Sequence, residues 1–318
     1  MSRVSTGPAL GATWAAPANI ALVKYWGSRN PDAGLPLSPS LSMTLRHCVA
    51  TCTVRPRAAA GVQVFQRRRR GQRAGHGGGA EVAVEVTFPV AAGLASSAAI
   101  FAAVTCAAID AFDLELHDDA LADLARAGGS GSAARSVAGG FVEWRPGTGD
   151  ETELEVIAPA SHWEVRDVIA IADPCPKRVS SREGHRRAFS SPYFDRRLAL
   201  LDERIARVRD AIRRRDIDAL GAVAEEEAVD LHLIAMSSRP PIRYWRPATV
   251  AILEEVEAMR HDGVSAWSTL DAGPNVHVLC EPGAEPEVAR RLAGVPGVQR
   301  IIRDRVGEGP VASARTLL

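Results

Sequence analysis

The most constraining feature of this 318-residue chain is the stretch from Val82 to Phe112. Val82-Ala83-Val84-Glu85-Val86-Thr87-Phe88 alternates as a strand. Pro89 to Ser97 follow as a loop of small residues, and an alanine-rich helix runs on to about Phe112. That helix is apolar nearly all round, which predicts a buried position. A strand that passes through small side chains into a helix N-terminus lets backbone N–H groups approach an anion, with the partial positive charge of the helix behind them. Ser96 and Ser97 can offer hydroxyls to phosphate oxygens or to Mg2+. The Gly-Lys-Ser/Thr ending of a Walker loop is absent. Taken alone, the segment reads equally well as a tight turn before a buried helix.

The chain is about two domains long, a typical domain being about 150 residues. Its character changes around Pro159–Val165, so the expected division is residues 1–163 and 164–318. Residues 1–12 read as an unstructured lead. From Thr13 to Val54 short apolar runs are broken by Pro17, Gly27, Gly34, Pro36 and Pro39, a pattern of strands and loops. Residues 66–80 hold four consecutive arginines and a glycine cluster, which reads as a solvated loop or as a basic flap over an anionic ligand. Asp118 to Ala127 reads as a helix capped by Asp118 or Asp119, and Phe141–Trp144 as a strand. In the second half a strand is expected over Val165–Ile171. Residues 195–214 give the clearest helix, with Leu198, Leu201, Ile205, Val208 and Ile212 in one apolar stripe. Helices over 216–235 and 246–260 and strands over Val276–Cys280 and Gln299–Arg303 follow. Helices and strands mix without strict βαβ alternation, so the expected class is α+β.

Composition narrows the function. Lys and Arg total 38 and Asp and Glu total 38, which argues against a generic nucleic-acid or membrane-surface binder. Only Lys24 and Lys177 are lysines. They are either what compositional drift toward arginine has left, or positions that need a compact, phosphate-directed charge. The five cysteines form no C-x-x-C pair and have no zinc spacing, which suggests reduced thiols. With no N-terminal apolar run and no stretch of about 18 apolar residues, the expectation is a soluble cytoplasmic protein.

Three further segments can carry chemistry. In Gly129-Ser130-Gly131-Ser132-Ala133-Ala134-Arg135-Ser136, two serines and an arginine fork suit a carboxylate or phosphate, although a glycine-serine linker would look similar. Lys24-Tyr25-Trp26-Gly27-Ser28-Arg29 places a lysine beside aromatics, which is also how a snorkelling surface lysine looks. Asp271-Ala272-Gly273-Pro274-Asn275 precedes an apolar strand, and its aspartate is either a turn residue or a base.

Taken in order, KYWG (24–27), FPVAAGLASSAA (88–99), GSGSAARS (129–136), GGFVEW (139–144) and DAGPN (271–275) resemble the mevalonate diphosphate decarboxylase family of the GHMP kinase superfamily. Lys177–Gly184, Ser191-Pro192 and Pro240-Pro241-Ile242 extend the resemblance, which spans about Thr13 to Leu279. It implies an α+β fold with a ribosomal-S5-like N-terminal domain and a ferredoxin-like C-terminal domain, usually as a homodimer. It implies ATP and Mg2+, and phosphorylation of a tertiary hydroxyl followed by loss of phosphate and CO2. By the same resemblance, Asp271 is the base and Arg135 holds the C1 carboxylate. Lys24 lies near the transferred phosphate. Ser130 and Ser132 line the substrate, with Tyr25 and Arg29 also on its side. Gly93, Leu94, Ala95, Ser96 and Ser97 cradle ATP, and Ser97 is a candidate Mg2+ ligand. Ser181 and Lys177 contact substrate or nucleotide phosphates.

The chain departs from this pattern in places. Ser28 replaces a second family lysine that helps hold the distal substrate phosphates. Thr87 replaces an asparagine. The segment ahead of the phosphate loop is short, and a second phosphate-binding arginine is missing unless Arg67–Arg70 replace it. The leading expectation is decarboxylation of mevalonate 5-diphosphate. The alternatives are decarboxylation of mevalonate 5-phosphate, a kinase that stops at the phosphorylated product, and a non-catalytic relative.

Overall fold

The computed structural model describes residues 11–57, 62–66, 69–73, 79–90 and 92–318. Of the lead expected over 1–12, residues 1–10 lie outside these residues, and Ala12 already begins the first strand. In chain order the elements are β1 (Ala12–Val23), β2 (Ser28–Asn30), β3 (Leu35–Pro36), β4 (Ser40–Arg57), β5 (Val62–Gln66), β6 (Arg69–Arg73) and β7 (Gly79–Val86). Then come α1 (Ser96–Ala111), α2 (Asp118–Ala127), a 3-10 turn (Gly131–Val137), β8 (Phe141–Pro146), β9 (Thr152–Ala158) and β10 (Arg166–Ile171). Helices α3 (Ser181–Ala188), α4 (Phe194–Leu198), α5 (Leu201–Arg214), α6 (Ile217–Ser237) and α7 (Pro247–His261) follow. The chain closes with β11 (Ala266–Thr269), β12 (Val276–Cys280), α8 (Glu285–Ala293), β13 (Arg300–Arg305) and β14 (Val311–Ala312). The α+β expectation is met.

The first sheet runs β14-β1-β4-β7-β5-β6, with β8 bridging β4 and β9. Strand β4 is long enough to hold β8 at Ser40–Met43 and β7 at Ala50–Arg57. Strand β1 passes straight through Pro17, at which a break was expected. Its ladder with β4 shifts register between Pro17 and Asn19, where the missing proline N–H is tolerated. Helix α1 packs on β1 and β4 through Ala99, Ala102 and Ala103, and its low polarity reflects that burial.

The second sheet is antiparallel, in the order β11-β12-β10-β13. Alternation divides its two faces. Ile169, Ile171 and Leu279 join the core of the first sheet. Val168, Ala170, Val276 and Val278 pack instead with Ile252 and Val256 of α7 and Val288 of α8. The C-terminal β14 returns to pair with β1.

Other expectations shift. The 195–214 helix is divided at residues 199–200 into α4 and α5. The cap position of α2 is His117, and Asp118 and Asp119 fall in the first turn, facing the positive end of the helix. The stretch 66–80, expected as a loop or flap, carries the end of β5, all of β6 and the start of β7. Backbone pairing there is indifferent to the arginine-rich composition that suggested a loop. Arg67 and Arg68, with any phosphate role they have, lie outside the described residues. Among the described residues, no helix is long and apolar enough to cross a membrane.

Candidate active site

One cavity of about 660 Å³ gathers most of the candidate residues. The loop before α1 lines it, with Gly93 in a left-handed conformation at φ +82°. Ala95, the residue before α1, also adopts positive φ, at 48°. Holding a non-glycine residue there stores strain of about 1 kcal/mol or more, which only a constrained loop sustains. Ser96 is buried, and Ser97 is exposed at the helix start.

The two serine-bearing segments, far apart in sequence, meet here. Ser97 Oγ lies 3.0 Å from Ser130 Oγ, and Ser130 Oγ lies 3.1 Å from Ser132 Oγ. The glycine-serine segment is a 3-10 turn and not an open linker. It fixes Arg135, whose Nη1 donates to Ser40 Oγ at 2.6 Å and whose Nη2 donates to Asn19 Oδ1 at 3.3 Å. Asn19 in turn donates to the Ser132 carbonyl and to Ser136 Oγ. Arg135 Nε is buried with no partner among the described residues. Burial pulls the Arg135 guanidinium down to about 10, against Asp271 and Tyr25, so it stays cationic at neutral pH.

Lys24 is no snorkelling surface charge, being 1% exposed. Its ammonium donates to the Ala21 carbonyl at 2.5 Å, Thr269 Oγ1 at 2.8 Å and Asp271 Oδ1 at 3.1 Å. Burial pushes its pKa below the ordinary lysine value, and Asp271 and Glu227 oppose the shift. Three acceptors satisfy all three N–H groups of the ammonium. Asp271 stays about a quarter exposed, open to the cavity. Its turn is held by Asn275, which donates to the Ala92 carbonyl at 2.8 Å.

Lys177 Nζ donates to Ser181 Oγ at 2.7 Å and to the Ala272 carbonyl at 2.5 Å. Burial lowers it to about 8, with Asp271 pulling the other way. Ser180, next to Ser181, caps α3 by accepting from the Glu183 N–H. Tyr25 lines the cavity with its ring against Trp144 and His185. Leu94 also lines the cavity and is buried.

Arg29 is not brought in. It is exposed on β2, outside the cavity lining. Ser28 is also outside, buried, with its hydroxyl donating to the Leu35 carbonyl at 2.5 Å. Sequence reasoning missed Asn19, Thr269 and His185. His185 lines the cavity and accepts the Gly27 N–H on Nδ1 at 3.1 Å. Asn19 lies within the apolar run that leads to Lys24, and its polarity there was the available signal.

Fold and site define a class: an α+β enzyme of the GHMP kinase type, with a small-residue loop before a helix, an aspartate and an ammonium lining one cleft. A family model described as the diphosphomevalonate decarboxylase-like N-terminal domain matches residues 16–66 and 57–154. The mevalonate 5-diphosphate decarboxylase C-terminal domain matches 168–304. The chain belongs to the diphosphomevalonate decarboxylase family. It is 31% identical to the diphosphomevalonate decarboxylase of Gibberella zeae, over 94% of this chain and 96% of that one. Against the Candida albicans enzyme it is 30% identical, over 96% and 99%. Among solved structures it resembles mevalonate diphosphate decarboxylase from Staphylococcus aureus at TM-score 0.86 and 28% identity, over 95% of this chain and 98% of that one. A structure described as "MDDEF in complex with MVAPP, AMPPCP and Magnesium" superposes at TM-score 0.87 with 30% identity, over 96% and 99%. Membership makes the chain an ATP-dependent decarboxylase.

Proposed function

We propose that this enzyme converts mevalonate 5-diphosphate to isopentenyl diphosphate with ATP. The observation that carries this reading is the contact of Lys24 Nζ with Asp271 Oδ1 at 3.1 Å, in the cavity that the phosphate loop also lines. A tertiary hydroxyl is a poor nucleophile, and Asp271 accepts its proton as the γ-phosphoryl group of ATP transfers to the C3 oxygen. Lys24, with the N-terminus of α1, balances the charge that develops on the transferred group. The C3–O bond then breaks with phosphate leaving. The C1–C2 bond breaks with CO2 leaving, and its electron pair forms the C2–C3 double bond. Arg135 holds the C1 carboxylate; its buried Nε, without a partner among the described residues, fits that role. Ser130, Ser132, Ser181 and Tyr25 bind the acid, and Gly93–Ser97 and Lys177 bind the nucleotide.

Among the described residues there is no cluster of three or more His, Cys, Asp or Glu that could hold a metal. Mg2+ usually keeps waters and substrate phosphates as ligands, so a phosphate loop that offers hydroxyls fits it. Ser97 is the residue that would reach it. When bound, the ion neutralises phosphate charge.

One observation favours a second reading, with mevalonate 5-phosphate as substrate. Ser28 stands where the family pattern has a lysine, and its hydroxyl is spent on the Leu35 carbonyl. Comparing kcat/KM for the diphosphate and the monophosphate tests the choice. A higher value for the diphosphate supports the first reading, and a higher value for the monophosphate supports the second. We place the enzyme in the cytoplasm as a homodimer, with residues 1–163 and 164–318 as its two domains.

A further inference from the structure

At the end of β1 the backbone of Lys24 leaves the sheet and loses its ladder partners. Buried main-chain groups must find others. Here side chains from the second half of the chain supply them. The Lys24 N–H donates to Glu227 Oε2 at 2.8 Å. Arg197 Nη2 donates to the Lys24 carbonyl at 2.7 Å and to the same Glu227 oxygen at 2.6 Å. Arg197 Nη1 reaches the Trp26 carbonyl at 3.5 Å. The other Glu227 oxygen accepts from Arg204 at 2.5 Å, and Arg204 also bonds Asp230 at 2.7 Å. Lys24, Arg197 and Glu227 are each 2% exposed or less.

We propose that the Arg197–Glu227 pair is a positioning device for the phosphoryl-transfer step: by binding both main-chain polar groups of Lys24, it sets where the Lys24 ammonium meets Asp271. The inference rests on the function proposed above. All three N–H groups of that ammonium are taken, so its aim depends on where its backbone is held. A buried ion pair kept for stability alone is often replaceable by apolar groups. This one directs a carboxylate oxygen at a single peptide N–H, that of a cavity-lining residue. Misplacing a reacting group by about 1 Å can cost about 100-fold in rate. Arg197 and Glu227 act through Lys24 and are positioning residues.

The test uses the full-length enzyme and steady-state ADP release. Arg197→Met leaves Glu227 paired with Arg204 but frees the Lys24 carbonyl. The expected result is a kcat lower by about 10- to 100-fold. KM values for Mg·ATP and for the phosphorylated acid should stay within about threefold, because the pair touches neither ligand. Glu227→Gln keeps an amide oxygen for the Lys24 N–H and should retain more kcat than Arg197→Met. Arg207→Lys, on the half-exposed face of α5, serves as the control and should match wild type. A lowered melting temperature with unchanged kcat in the folded fraction would overturn the proposal in favour of a structural role. An equal rise in both KM values with kcat unchanged would also overturn it. If Arg197→Met does not fold, the kcat of Glu227→Gln decides in the same way. Wild type without acid-dependent ADP release would overturn the proposed function itself. Active wild type with an unaffected variant would overturn this inference alone.

Discussion

Gly93 and Gly273 face each other so closely that a β-carbon on Gly93 would lie 2.6 Å from the Gly273 α-carbon. The loop before α1 and the Asp271 turn are therefore packed backbone to backbone. Asn275 reinforces the seam, with its amide on the Ala92 and Asp173 carbonyls and its oxygen on the Ala172 and Asp173 N–H groups. The two segments lie about 180 residues apart in the sequence, and this contact fixes the distance between the loop before α1 and Asp271.

Gly273→Ala should therefore damage catalysis. The added methyl meets Gly93 and the Ala92 carbonyl, backbone atoms that cannot rotate away. A displacement of about 1 Å predicts a fall in kcat of about 100-fold. Gly283→Ala, where a β-carbon meets nothing within 4 Å, should leave kcat at the wild-type value. Parallel kinetics on the two variants check this.

Asp271→Asn keeps the shape of the side chain but cannot accept the hydroxyl proton. Turnover should fall by about 100- to 10,000-fold. Nucleotide should still bind, because the phosphate loop is untouched. Rapid-quench measurement of ADP, beside a nucleotide-binding titration, separates the two effects. Near-normal turnover would remove Asp271 from the role of base.

Burial lowers Lys177 to about 8. Below that pH it is an ammonium able to meet phosphate oxygens, and above it the charge is lost. The kcat/KM for Mg·ATP, which reports the free enzyme, should decline as pH rises through about 8. Lys177→Arg keeps its charge and should remove that alkaline decline. A pH profile from 6 to about 10 on both proteins checks the sign.

His185 and His232 are both held down to about 3, chiefly by burial, then by Lys177 for the first and Lys24 for the second. An unfolded histidine titrates near about 6.5, so the unfolded chain takes up protons first as pH falls. The stability linked to these groups is complete above about pH 6.5 and is lost progressively toward pH 3. At pH 5 the loss is about 2 kcal/mol for each group. Urea unfolding at pH 7 and pH 5 measures it, and an equal unfolding free energy at both would contradict the assignment.

The sequence made the strand–loop–helix of residues 82–112 legible because alternation, small side chains and an alanine run are all local signals. Helix α1 begins at Ser96 and ends at Ala111, close to the expected bounds. The candidate site residues were reached by resemblance, and their partners were not. Glu227 reads as one more polar residue in a helix, and nothing local says that it accepts an N–H from Lys24, 203 positions away. The resemblance put Arg29 on the substrate side, and on β2 it is exposed and outside the cavity lining, a placement that nothing local in the sequence signals. Pro17 misled because a proline at a register shift does not break its strand.

The most direct test of the account is to measure ADP and CO2 together from purified enzyme with Mg·ATP and mevalonate 5-diphosphate. The account predicts equimolar release of both, dependent on the acid. ADP without CO2 would make the protein a kinase, and no acid-dependent ADP would contradict catalysis at this site altogether.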